Sequence, residues 1–211
     1  MPLTTFPDKL RLKERAEEDT YFARRDRELI AALHRRKRLP LVEVRSGGQT
    51  GVDRGALEAV LALPKGAGIG AGGWCPRGRL AEDGALDGRY PLSETPTAES
   101  AQRTEWNVRD ADATLILHRG ELAGGTALTA EVAARLGRPL LQIDLNQIDP
   151  HASATLDDIR TWLRDQGVRA LNVAGPRESQ CPGITAQSRQ WMQRLLTAIV
   201  EGNEQARGCM G

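Results

Sequence analysis

LVEVRSGGQTGVDR, Leu41 to Arg54, is the stretch whose reading decides the fold. Leu41, Val42 and Val44 make a short apolar run that predicts a buried strand, ending at Ser46-Gly47-Gly48. From Gln49 to Leu63 the period changes, with Val52, Ala56, Ala59, Val60 and Leu63 recurring on one helical face. A strand feeding a glycine turn that opens a helix offers an anion free backbone N–H groups and the positive end of the helix dipole. Glycine suits the turn because a side chain would hold a phosphate away from those donors. A bound anion is therefore the first expectation.

Downstream, the same alternation repeats. A section dense in Gly, Pro and Asp, residues 66–96, reads as loop. A helical stretch over 98–109 precedes a strand over 113–118, and Gly124-Gly125-Thr126 opens a helix to about Leu136. A strand over 140–144, an amphipathic helix over 156–165, a strand over 168–174 and a helix over 185–200 complete the chain. Strands and helices alternating with short connections predict an α/β, Rossmann-like domain over residues 39–211, its mostly parallel sheet covered by helices on both faces.

Residues 1–38 read as a separate charged helical extension, with eleven Lys/Arg against seven Asp/Glu. Leu29, Ile30 and Leu33 form an apolar stripe before the basic run Arg35 to Arg38. The segment admits two readings, a helix packed on the main domain or a neighbouring subunit, and a solvated arm. Glu17, Glu18 and Asp19 interleave with the cations, which weakens a nucleic-acid or membrane-surface role. The net charge of +1 gives no electrostatic case for nucleic acid. No signal peptide and no run of membrane-spanning length is read. Cys75, Cys181 and Cys209, odd in number and widely spaced, predict neither a zinc site nor a disulfide framework, so a reducing cytoplasm is the expected location.

Ligands of open parallel sheets sit beyond the carboxyl ends of the strands. Three strands here are predicted to end in glycine-rich turns. One holds Ser46, Gly47, Gly48, Gln49 and Thr50 with Asp53 and Arg54 beyond it; one follows His118 and reaches Gly124, Gly125 and Thr126; one holds Gly175, Arg177 and Ser179. Each alone is equally explained by the tightness of a βα turn. Together they gather hydroxyls at Thr50, Thr126 and Ser179 and guanidinium forks at Arg54 and Arg177, groups suited to an oxyanion. The loop Gly72 to Arg79 adds Trp74, Arg77 and Arg79. Trp74 either stacks on a planar heterocycle or plugs the loop onto the core, and Cys75 beside it is either ligand-facing or incidental. Arg103 and Asn107, four apart, share a helix face that either lines the site or meets solvent. No GxxxxGK[ST] or GxGxxG motif, no Ser/His/Asp arrangement and no metal-ligand spacing occurs, so no catalytic residue is assigned.

Six segments, SGGQTGVDRGALEA (46–59), GGWCPRGRLAEDG (72–84), YPLSET (90–95), RTEWNVRDADATLIL (103–117), GGTALT (124–129) and LNVAGPRES (171–179), together resemble the molybdenum-cofactor carrier family. That family lies within the Rossmann-like SLOG/LOG group of nucleotide-ligand binders. The resemblance covers about residues 41–200 and leaves the N-terminal extension outside. It implies a homo-oligomer, dimer or tetramer, that holds molybdenum cofactor or a related nucleotide-derived ligand, with a molybdoenzyme as possible recipient. The alternative it implies is a LOG-like phosphoribohydrolase of nucleoside 5′-monophosphates. LOG hydrolases carry PGGxGTxxE, whose Glu takes part in catalysis. Setting Gly125-Thr126 on the Gly-Thr of that motif puts Thr129 where the Glu belongs. Glu131 lies about 200° further round the helix, at about 100° per residue. The departure favours binding over hydrolysis and leaves Asp53 or Glu105 as other carboxylates for the enzyme reading.

Overall fold

The computed structural model describes residues 20–22, 24–26, 29, 39–147 and 153–208. These fall in two units, one comprising residues 39–202 and the other comprising the described N-terminal residues and residues 203–208. In the smaller unit, residues 20–22, 24–26 and 29 are helical, and the Tyr21 and Phe22 rings meet edge to face at 5.6 Å. Ile30, Leu33 and the basic run 35–38 lie outside the described residues.

The larger unit is built on five strands, β1 (Glu43–Arg45), β2 (Gly70–Gly72), β7 (Ala113–His118), β8 (Leu140–Asp144) and β9 (Ala170–Ala174), in the spatial order β2-β1-β9-β7-β8. Every pairing within this sheet is parallel. Helices α1 (Val52–Leu61), α2 (Ser100–Arg109), α3 (Gly124–Arg135), α4 (Ser153–Asp165) and α5 (Ile184–Gly208) accompany it, the last running on into the smaller unit. Between β2 and α2 lie two small ribbons, β3 (Trp74–Cys75) with β6 (Ser93–Glu94), and β4 (Leu80–Ala81) with β5 (Gly84–Ala85).

The strand register sorts the side chains by face. Val44 pairs with Leu171, Leu115 with Val173, and Leu117 with Ile143. These residues form one cluster with Val52, Ala56 and Val60 of α1, Ile159 and Leu163 of α4, and Met192 and Leu195 of α5. The opposite face pairs Thr114 with Leu140 and Asn172. Leu140 packs there with Val108 of α2 and Val132 of α3. The sheet is thus covered on both faces, as its near-continuous apolar strands require.

The order in the chain is unusual. Read from β9 as first strand, then β1, β2, β7 and β8, the sheet follows the Rossmann order 3-2-1-4-5. The chain is a circular permutation in which the central strand comes last. Its topological switch point lies between β9 and β7.

Most predicted elements stand within a few residues of their expected bounds. Two differ instructively. Gly70–Gly72 was expected to be loop and is an edge strand, held by backbone pairing to β1 with no apolar side chain to announce it. The helix expected from Gln49 begins at Val52, because Gln49 to Gly51 form a turn closed by the loop after β9. Gly51 has φ 81°, and a Cβ there would stand 2.1 Å from the Pro176 carbonyl oxygen. Gly51→Ala is expected to destabilise the protein by about 3 kcal/mol or more in urea unfolding. Gly66→Ala, also at positive φ (90°) but with nothing within 4 Å, should cost only about 1 kcal/mol. Equal losses would mean that the Pro176 loop yields.

Candidate functional site

The carboxyl ends of β1, β9 and β7 carry the three glycine turns on neighbouring strands. Their helix N-termini differ in what already holds them. At α1, Gly51 N–H donates to the Thr185 hydroxyl (3.0 Å) and Val52 N–H to the Pro176 carbonyl (3.2 Å). At α5, the Glu178 carboxylate accepts from Thr185 N–H (2.9 Å), the Thr185 hydroxyl (2.6 Å) and Gly183 N–H. Those bonds, the Thr185 hydroxyl first, hold the Glu178 carboxyl below the usual carboxylate range. At α3, Ala123 is the N-cap and supplies no side-chain bond. Among the described residues, no acceptor takes the Gly124 or Gly125 N–H, and both glycines are exposed.

Onto that open terminus faces a cleft of about 310 Å³. His118, Arg119, Glu121 and Thr126 come to it from the β7–α3 connection, and Pro176, Gln180 and Cys181 from the β9–α5 connection. It therefore occupies the switch point, where open α/β sheets bind ligands. His118 Nδ1 lies 2.6 Å from the Gly120 carbonyl oxygen, which can only accept, so Nδ1 carries the proton and Nε2 is left for a ligand. Arg119 spans the crevice, donating to Gln187 Oε1 (2.8 Å) and the Pro182 carbonyl (3.1 Å). Thr126 is 5% exposed. Of the anticipated site residues, His118 and Thr126 line the cleft, and Gly124 and Gly125 lie between its lining residues Ala123 and Thr126 in the chain. Arg119, Glu121, Gln180 and Cys181 were not anticipated; only their place after a strand end marks them in the sequence.

The remaining anticipated residues lie around the β1 turn. Asp53 is 3% exposed and pairs with Arg103 Nη1 at 2.9 Å, over the Gly47 backbone. Burial outweighs the attraction of Arg103 and raises the Asp53 carboxyl above its ordinary range. The Ser46 hydroxyl donates to the Val173 carbonyl (2.7 Å), tying the turn to β9. Gln49 accepts the N–H groups of Thr50 (3.0 Å) and Glu82 (2.8 Å) through its side-chain oxygen. Gly48 packs against the side chains of Leu86 and Leu92. Thr50 and Ser179 donate to Glu82, and Arg54 pairs with Asp83.

Further out, Asn107 is 2% exposed and clamps the backbone of Trp74, accepting its N–H and donating to its carbonyl, both at 2.8 Å. The Trp74 indole donates to Asp110 (2.8 Å) and meets Trp106 edge to face at 4.7 Å. Arg79 donates to the carbonyls of Leu86, Asp87, Tyr90 and Leu92 and so cages its own loop. Arg77 and Arg177 have no side-chain acceptor among the described residues. Cys75 is buried, and burial raises its thiol pKa. No group of three or more His, Cys, Asp or Glu among the described residues is placed to hold a metal ion.

The carboxylates open to the enzyme reading are elsewhere. Asp53 faces Arg103, and Glu105 pairs with Arg135 at 3.2 Å. Thr129, at the catalytic position of the LOG motif, is buried and donates back to the Gly125 carbonyl at 2.8 Å. Glu121 is the carboxylate on the cleft rim.

A family model described as the circularly permutated YpsA SLOG family matches residues 44–196. The chain is also similar to the crystal structure of a proposed molybdenum carrier protein from Syntrophus aciditrophicus SB. The two share 38% identity and a TM-score of 0.67, over 76% of this chain and 94% of that one. No curated protein matches.

Two stability results follow from this geometry. Asp53→Asn leaves Arg103 buried without its counter-charge and should cost about 3 kcal/mol in urea unfolding; Asp53→Asn with Arg103→Met should cost less. Arg79→Ala should lower the melting temperature while Arg77→Ala leaves it unchanged; equal shifts by thermal scanning would contradict the caging role.

Proposed function

The chain belongs to the circularly permutated YpsA SLOG family, and we propose that it is a carrier that holds molybdenum cofactor, an anionic pterin, in the cleft between the β7 and β9 turns. The observation that supports this reading best is the α3 N-terminus: among the described residues no acceptor takes the Gly124 or Gly125 N–H, both glycines are exposed, and Ala123 and Thr126 on either side of them line the switch-point cleft. Two convergent N–H groups and a helix dipole suit the phosphate of such a ligand. Thr126 supplies a hydroxyl and His118 Nε2 a further polar contact, both from the cleft lining. The cofactor would bring its own metal and pterin chemistry; these residues bind and orient it. An exposed rim is what a carrier needs to pass its cargo to a molybdoenzyme.

The arrangement supports holding over hydrolysis, because the carboxylate that LOG hydrolases use is replaced by Thr129, whose hydroxyl is turned onto its own helix.

The test is metal analysis and pterin fluorescence on protein purified from a molybdate-fed host that makes the cofactor. Molybdenum and oxidised pterin near one per subunit are expected. Thr126→Val should reduce the affinity about tenfold, the effect of one hydrogen bond to a charged group, with the melting temperature unchanged. Protein carrying neither metal nor pterin, yet releasing free base from nucleoside monophosphates, would overturn the carrier reading in favour of hydrolysis.

A further inference from the structure

Glu82 has no part in the cleft. It stands exposed where the chain turns from β4 to β5, far in sequence from both the β1 turn and the β9 turn. Yet its carboxylate accepts three hydrogen bonds from those turns: the Thr50 hydroxyl, the Ser179 hydroxyl, and the Ser179 N–H at 3.2 Å. The Thr50 oxygen in turn accepts the Glu178 N–H at 3.2 Å. Next to it, Asp83 takes the Arg54 fork, with one contact at 3.0 Å. Ser179 and Thr50, with a smaller contribution from Arg177, hold the Glu82 carboxyl below the usual carboxylate range.

Water would satisfy an exposed carboxylate without any of this. Two hydroxyls and a backbone N–H converging on one carboxylate, beside Arg177, whose side chain has no acceptor among the described residues, make an oxyanion cradle whose geometry does not depend on which oxyanion fills it. We infer that the β4–β5 ribbon is a self-plug: Glu82 occupies an anion subsite built by Thr50, Ser179 and Arg177, and an incoming oxyanion of the ligand must displace it. This rests on the reading that the ligand is anionic. The subsite and the cleft share one wall. The β9–α5 connection turns Pro176, Gln180 and Cys181 to the cleft, and Glu178 N–H and Ser179 to Thr50 and Glu82. Opening the plug therefore frees the loop that lines the cleft. A ligand that needs a state populated one time in ten binds about tenfold more weakly than its contacts allow, and removing the competitor restores that factor.

The experiment titrates the full-length protein with inorganic phosphate, read by calorimetry. Glu82→Ala should tighten phosphate binding about tenfold over the unaltered chain. Glu82→Gln, which keeps the shape but loses the charge that strengthens the three bonds, should give a smaller gain in the same direction. Adding Thr50→Val and Ser179→Ala to Glu82→Ala should abolish the gain. Equal or weaker binding by Glu82→Ala, with Glu82→Gln no tighter, overturns the inference, and the residue is then a ligand contact or a plain brace. Thr126→Val separates the two readings. If it leaves phosphate binding unaltered while Glu82→Ala still tightens it, the cleft reading fails and the plug stands. If Thr126→Val weakens binding and Glu82→Ala does not tighten it, the plug alone fails.

Discussion

The approach of the Pro176 carbonyl to Gly51 is the contact on which the rest of the site depends. In an unpermuted Rossmann domain the central strand comes first, and its neighbours are laid against it. Here β9 comes last of the five strands and lies between β1 and β7. Polar contacts add to its backbone pairing on both sides and to the burial of Leu171 and Val173. Val52 N–H meets Pro176, the Ser46 hydroxyl meets Val173, and Asn172 donates to Thr114 at 3.3 Å across the β9–β7 pair. Only a residue without a Cβ lets the loop after β9 come this close. Gly51 thus serves as a seat for the chain itself.

That seating decides which helix N-termini remain open. Three helix N-termini at one edge of a sheet concentrate positive potential, and each must meet negative charge or dipoles from somewhere. The fold supplies them from within at two: carbonyl and hydroxyl oxygens at α1, the Glu178 carboxylate at α5. At α3 it supplies only the Ala123 carbonyl, to Thr126 N–H at 3.1 Å, and leaves the two glycines before it open. The three similar sequence turns thus differ in which of them the long-range topology has already filled.

This also explains what the sequence could show. The alternation of apolar runs and helical faces made the sheet and its helices legible, and the placement of His118 and Thr126 followed from a strand end and a helix start. The edge strand Gly70–Gly72 was not legible, because its bonds are backbone to backbone and its residues carry no periodicity. Arg119, Gln180 and Cys181 were hidden for another reason: the cleft joins two connections far apart in sequence, and nothing local to either marks the meeting. The fates of Arg79 and Asn107 show a further limit. A guanidinium fork and a carboxamide match backbone groups as well as they match phosphate or a heterocycle. Composition identifies the chemistry, and only the neighbouring carbonyls of Leu86 to Leu92 decide its use.

Thr129 draws these points together. On the LOG pattern its position carries the glutamate that takes part in catalysis. In this chain the side chain is short and uncharged, and it closes onto the Gly125 carbonyl, one turn back within the helix. The carboxylate that remains near the α3 N-terminus is Glu121, on the cleft rim. Under the carrier reading, a helix start that lacks the LOG carboxylate suits holding a ligand more than cleaving it.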